Sequence, residues 1–109
     1  MTRKHNTDRN GSNWSEQTKK NVWSKATIVD GFDSTKMRKD NCGAWIEFDK
    51  HGDNSENGNG WEIDHVKPVS KGGGDDLNNL QPLQWQNNRH KGDNYPSNSY
   101  CIVSATAAV

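Results

Sequence analysis

The stretch Trp61-Glu-Ile-Asp64-His65-Val-Lys-Pro68-Val-Ser-Lys-Gly72-Gly-Gly74-Asp-Asp-Leu-Asn-Asn79-Leu-Gln-Pro82-Leu-Gln-Trp85-Gln-Asn-Asn88-Arg-His-Lys-Gly-Asp93 carries most of the side chains able to do chemistry. Asp64 and His65 are neighbours at the end of a short apolar run, and strand geometry points neighbouring side chains to opposite faces. Pro68 and the glycines at 72, 73 and 74 enforce an irregular loop. Leu80-Gln-Pro-Leu83 reads as a second strand, at an edge because Pro82 has no N–H to give a ladder. Residues 84 to 91 suit one short helix. The pattern predicts strand, long loop, strand, helix: a metal-binding hairpin and helix.

The ordered set Asp64-His65, Pro68, Gly72-Gly73, Asn79-Leu80 and Asn88-Arg89 with Lys91-Gly92-Asp93 resembles the HNH endonucleases, also called His-Me finger or ββα-metal nucleases. The spacings from His65 to Asn79 and Asn88 also look like those of the HNH domain of the RNA-guided CRISPR nuclease. From Cys42-Gly-Ala-Trp45 onward the string is similar to small stand-alone bacterial and phage HNH proteins. The resemblance spans about residues 38 to 96. It implies an α+β fold, with a ββα-metal core joined by an N-terminal helix and long loops. It also implies a metal-dependent endonuclease acting on DNA, double-stranded by expectation, in a phage or mobile-element setting.

The chemistry of those residues fits that implication. Phosphodiester hydrolysis needs an activated water, and positive charge to neutralise what develops on the phosphate and leaving oxygen. The imidazole of His65 can take a proton near neutral pH. Asp64 offers a hard anionic oxygen and Asn88 a carbonyl oxygen, ligands that suit Mg²⁺ or Mn²⁺; Ni²⁺ and Zn²⁺ are further candidates for the one divalent site. The resemblance assigns Asp64 and Asn88 as metal ligands, His65 as general base, and Asn79 as the residue that braces the loop and orients the histidine, with Asn78 its alternative. His90 lies two residues from Asn88, roughly 200° around a helix, so both cannot face one metal; His90 is expected toward solvent or DNA. Arg89, Lys91, Lys71 and Lys67 are the expected phosphate contacts, which position a duplex without reading it. Glu62 is expected to face outward.

Many members of the family hold a structural zinc with two cysteine pairs. Here only Cys42 stands near the first pair, and Gln84 and Asn87 occupy the place of the second. No structural zinc is expected, and Trp45 and Trp85 are expected to pack in its stead. One Cys42–Cys101 disulfide is arithmetically possible. Nothing marks the chain as secreted, however, so free thiols are the expectation.

At 109 residues and 28% hydrophobic content the chain makes one domain with a thin core. Its five tryptophans can compensate, each burying about 150–250 Å². The net charge is zero, but residues 1–25 hold six basic and two acidic groups, and residues 26–66 four basic and nine acidic. That balance argues against a protein that coats DNA and is compatible with a local basic strip. The basic start is not followed by an apolar segment and no run could span a membrane, so a cytoplasmic location is expected. The glycine triplet lacks the following helix and Lys-Ser/Thr of a nucleotide-binding loop.

Residues 1–13 read as a mobile arm whose Arg3, Lys4 and Arg9 could touch nucleic acid. Residues 14–96 form the domain, with a helix from Ser15 to about Ala26, a connecting segment at 32–38, and a strand at 42–48. Residues 97–109 are a tail, part of which could add a strand. A non-cleaving nucleic-acid-binding module of the same fold, a nuclease acting mainly on RNA or single strands, and a protein using metal for stability alone are the alternatives. The third leaves the histidine without a purpose. Sequence specificity is expected to be weak, with a protein partner supplying targeting; monomer and homodimer stay equally open.

Overall fold

The computed structural model describes residues 4–56, 58–96 and 99–104. Helix α1 spans Glu16–Trp23 and opens as its sequence dictates: Ser15 is the N-cap and its hydroxyl accepts the Thr18 N–H. It stops short of the expected Ala26, with Ser24 at the C-cap. Strands β1 (Met37–Lys39) and β2 (Trp45–Glu47) form an antiparallel pair with Arg38 opposite Ile46. β1 falls at the end of the segment expected to be only a connection. Three residues with no apolar alternation carry too little signal, and pairing with β2 supplies the structure.

Strand β3 (Trp61–His65) pairs antiparallel with β4 (Leu80–Gln84), Ile63 facing Pro82 and Asp64 facing Gln81. Pro82 is tolerated because this sheet has only two strands. Helix α2, Trp85–Lys91, follows at once, with the Gln84 side chain accepting the N–H groups of Gln86 and Asn87. The result is the mixed α+β fold expected from the sequence.

All five β3 residues are buried, so both faces of the strand are covered. Trp61 and Ile63 join Val22, Trp23, Ala26, Ile46 and Leu80 in the core, with Trp14 and Phe48 against them. Trp23 and Trp61 meet at 5.3 Å between ring centroids, and each indole N–H finds a carbonyl, on Ser34 and Phe48 respectively. The other β3 face carries Glu62 and Asp64 under α2. Glu62 is 2% exposed, which corrects the expectation that it faces outward.

Two further expectations are corrected where a zinc site would lie. Trp45 and Trp85 do not pack together: Trp45 pairs with Phe32, and Trp85 lies beneath the Arg89 guanidinium. A hydrogen-bonded knot fills the place. One Asp40 oxygen takes the N–H groups of Cys42 and Ala44, and the other takes the Gln84 N–H and the Asn87 amide. The Asn87 side-chain oxygen Oδ1 takes the N–H groups of Ile102 and Val103, so the tail is tied to α2 there by side-chain bonds, and its described residues 99–104 form no strand. Beside the knot Cys42 and Cys101 form a disulfide, not free thiols. Closing a loop between residues 59 apart removes roughly 4 kcal/mol of unfolded-chain entropy in the loop-closure picture. Composition could not disclose this, because bridging depends on where the tail returns.

The segment read as a mobile arm is held to the fold at two points among its described residues, Asn6 on β3 and Arg9 on the following loop. The Asn6 side-chain oxygen Oδ1 accepts the Ile63 N–H at 2.8 Å and the Arg9 N–H donates to Asp75 at 3.0 Å. Arg3 and the last five residues fall outside the described set. His51 adds to this seam, its Nε2 3.1 Å from Asn6 Oδ1 and its ring edge-on to Trp61. Burial, helped by the Lys19 charge and opposed by Glu16, pushes the His51 pKa down to about 4 from 6.5. Below pH 6.5 the unfolded chain takes up a proton that the folded chain refuses until about pH 4, so stability falls with pH across that window. The melting temperature of the wild type should decline from pH 6.5 to 4 more steeply than that of His51→Gln, which keeps a donor for Asn6 but does not titrate.

Candidate active site

Period-two alternation puts Glu62 and Asp64 on the α2 side of β3, and helical spacing puts Asn88 and Lys91 on the face of α2 that meets them. The Asn88 amide nitrogen donates to Glu62 Oε1 at 2.8 Å, and Arg89 pairs with Glu62 Oε2 at 3.0 Å. With its NH₂ held by Glu62, Asn88 keeps its carbonyl oxygen for the other direction. Lys91 is buried; its amine reaches Asp64 Oδ1 at 3.2 Å and the His65 carbonyl at 3.0 Å. It is therefore not the surface phosphate contact expected of it. Gln81, directly across the ladder, donates to Asp64 Oδ2 at 2.9 Å. Burial raises the proton affinity of Asp64, and the Gln81 donor and the Lys91 charge oppose that shift.

His65 points to the opposite side. Its ring lies 5.5 Å from that of Trp14, and Nε2 sits 2.7 Å from Asp75 Oδ1. The loop that delivers Asp75 is stapled by Asn79, whose side chain accepts from the Lys67 N–H and donates to the carbonyls of Lys67 and Gly74. Asn79, not Asn78, makes these bonds. Gly73 lies so close to Lys67 that any Cβ would collide with the Lys67 carbonyl oxygen, which explains a glycine there.

Asp64, His65 and Asn88 line one cleft of about 630 Å³, together with Lys4, His5 and Ser70. Ser70 is itself held by Asp93 at 2.8 Å. Lys67, Lys71, Arg89 and His90 are exposed around the motif; His90 points away from the buried Asn88, as the helical angle requires. Among the described residues no cluster of three or more His, Cys, Asp or Glu could hold a metal. Asn6 and Asp93 also line the cleft; the Asp64 carboxylate and the Asn88 amide oxygen make a donor set suited to a hard cation that keeps waters or takes phosphate oxygens. Glu62, Asp75 and Gln81 were not singled out as site residues in the sequence. Alternation from Asp64 would have found Glu62, but nothing local points to Asp75.

Residues 40–94, just over half of the chain, match the family described as HNH endonuclease. No curated protein and no solved structure matches. No helix among the described residues is long and apolar enough to cross a membrane. The β3–β4 hairpin, α2 and the cleft residues Asp64, His65 and Asn88 thus fall within the matched segment, and the chain belongs to the HNH endonuclease family.

Proposed function

We propose that this chain is a metal-dependent endonuclease that hydrolyses DNA phosphodiesters, with His65 as general base and Asp64 and Asn88 as ligands of one divalent ion, Mg²⁺ or Mn²⁺ by donor chemistry. The observation that carries the reading is the shared cleft: Asp64 and Asn88 approach it from the strand and helix, while His65 enters from the other face of the same strand. A divalent ion there would neutralise charge on the phosphate and leaving oxygen. The residues do the rest. Glu62 keeps the Asn88 oxygen turned toward the cleft, Asn79 holds the loop, and His65 accepts a proton from the attacking water. Exposed Lys67, Lys71, Arg89 and His90 are positioned as backbone contacts outside the cleft, and Lys4 and His5 supply its far wall.

Double-stranded DNA is the proposed substrate, and targeting falls to a partner because no separate base-reading element stands on the described surface. Supercoiled plasmid incubated with Mg²⁺, Mn²⁺ or Ni²⁺ should convert to open circle, and excess EDTA should stop it. Intact plasmid with every metal would sink the proposal. Faster cutting of RNA or single strands than of duplex would replace its substrate.

A further inference from the structure

His65 is anchored by a carboxylate on the loop between β3 and β4. Asp75 Oδ1 lies 2.7 Å from His65 Nε2. The imidazole side chain is 3% exposed and the carboxylate 30%. A carboxylate oxygen accepts and does not donate, so in this bond Nε2 carries the hydrogen; in the neutral ring the acceptor lone pair is then on Nδ1. No hydrogen bond among the described residues takes Nδ1, and it is not among the buried atoms left without a partner. It is left for the cleft that His65 lines. Asp75 is itself held from two directions. Asn79 bonds the Gly74 carbonyl next to it at 2.9 Å, and the Arg9 N–H from the N-terminal segment reaches Oδ1 at 3.0 Å and Oδ2 at 3.3 Å.

We propose that Asp75 is a positioning residue which, fastened by the Arg9 backbone, fixes the ring and tautomer of His65 so that Nδ1 is the nitrogen presented to the attacking water. This rests on the reading of His65 as general base. It assigns Asn79 an indirect part: the asparagine places the loop, and the aspartate on that loop touches the ring. The N-terminal segment becomes part of the catalytic apparatus through a main-chain donor that side-chain substitution at Arg9 would leave in place.

The test uses the full chain and a duplex oligonucleotide with Mn²⁺, comparing wild type, Asp75→Ala, Asp75→Asn, His65→Ala and the double variant. Asp75→Ala should lower kcat about 10–100-fold, the range seen when a partner orienting a functional histidine is lost, with KM little changed. Asp75→Asn should fall between, because its carbonyl can still accept from Nε2–H. In the His65→Ala background Asp75→Ala should cost nothing more. Proton NMR of the metal-free wild type should give a downfield, slowly exchanging His65 ring proton on Nε2, missing from Asp75→Ala. Wild-type kcat in Asp75→Ala, additive loss in the double variant, or a ring proton on Nδ1 would each overturn the proposal. If Asp75→Ala does not fold, Asp75→Asn and the wild-type ring proton decide. Cleavage by His65→Ala at the wild-type rate would instead remove the general-base reading, and the ring proton would still judge whether Asp75 sets the ring.

Discussion

His65→Ala is expected to slow plasmid nicking by about 10²–10⁴-fold, the usual worth of a positioned general base. At about 1.4 kcal/mol per factor of ten that is about 3–5 kcal/mol of barrier. The loss should appear in kcat, because the imidazole is held between Trp14 and Asp75 at the cleft, apart from the exposed cations proposed to hold the phosphate backbone. DNA affinity, carried by exposed cations, should stay near the wild-type value at equal salt. Far-UV circular dichroism should show the variant folded, since His65 lies at the end of β3 and outside the Trp23–Trp61 core. Initial nicking rates at saturating DNA check the first claim and a binding isotherm the second. An unchanged rate would remove His65 from the chemistry.

How much of this was legible in the sequence depends on which force sets each feature. The β3–loop–β4–α2 order was legible because its signals are local: alternation at Trp61 and Ile63, glycines after Pro68, a proline fit for a two-stranded sheet, and short helical spacing after Gln84. The meeting of Asp64 and Asn88 followed from the resemblance and from that order. Features set by returns of the chain were not legible. Cys101 meets Cys42 where Asn87 holds the tail, and Asp75 receives Arg9 where Asn6 holds the N-terminal segment to β3. Both bring together residues about 60 positions apart through single side chains, which leave no periodic trace in the sequence.

Glu62 and Lys91 failed for another reason. A charged residue in a strand or near a helix end is usually solvated, and that prior placed Glu62 outward and Lys91 on a phosphate. The fold needs them inside. A carboxylate and an asparagine oxygen committed to one cleft must be held by partners of opposite polarity, and these are Lys91 for Asp64 and Glu62 for Asn88. Strand alternation from Asp64 and the three-residue step from Asn88 to Lys91 contain that information. Charge alone conceals it.

Lys91→Met should therefore act first on stability. Methionine keeps most of the stem volume and deletes the cation, leaving Asp64, 6% exposed, with Gln81 as its remaining donor. Breaking a buried pair by removing one partner costs about 3–5 kcal/mol, and the His65 carbonyl also loses the Lys91 donor. Burial already raises the Asp64 proton affinity, so the folded variant binds a proton more readily than the unfolded chain does. Its deficit should shrink as pH falls through the raised folded value and be largest at neutral pH. A divalent cation that takes Asp64 as ligand would restore the missing charge, so Mn²⁺ should raise the urea midpoint of Lys91→Met more than that of the wild type, where the amine competes for the same oxygen. Urea titrations at pH 7 and pH 5, with and without Mn²⁺, read all three effects. A wild-type midpoint at pH 7 would mean that Asp64 is satisfied without Lys91. An equal Mn²⁺ response in both proteins would mean that the cation does not bind where the amine now sits.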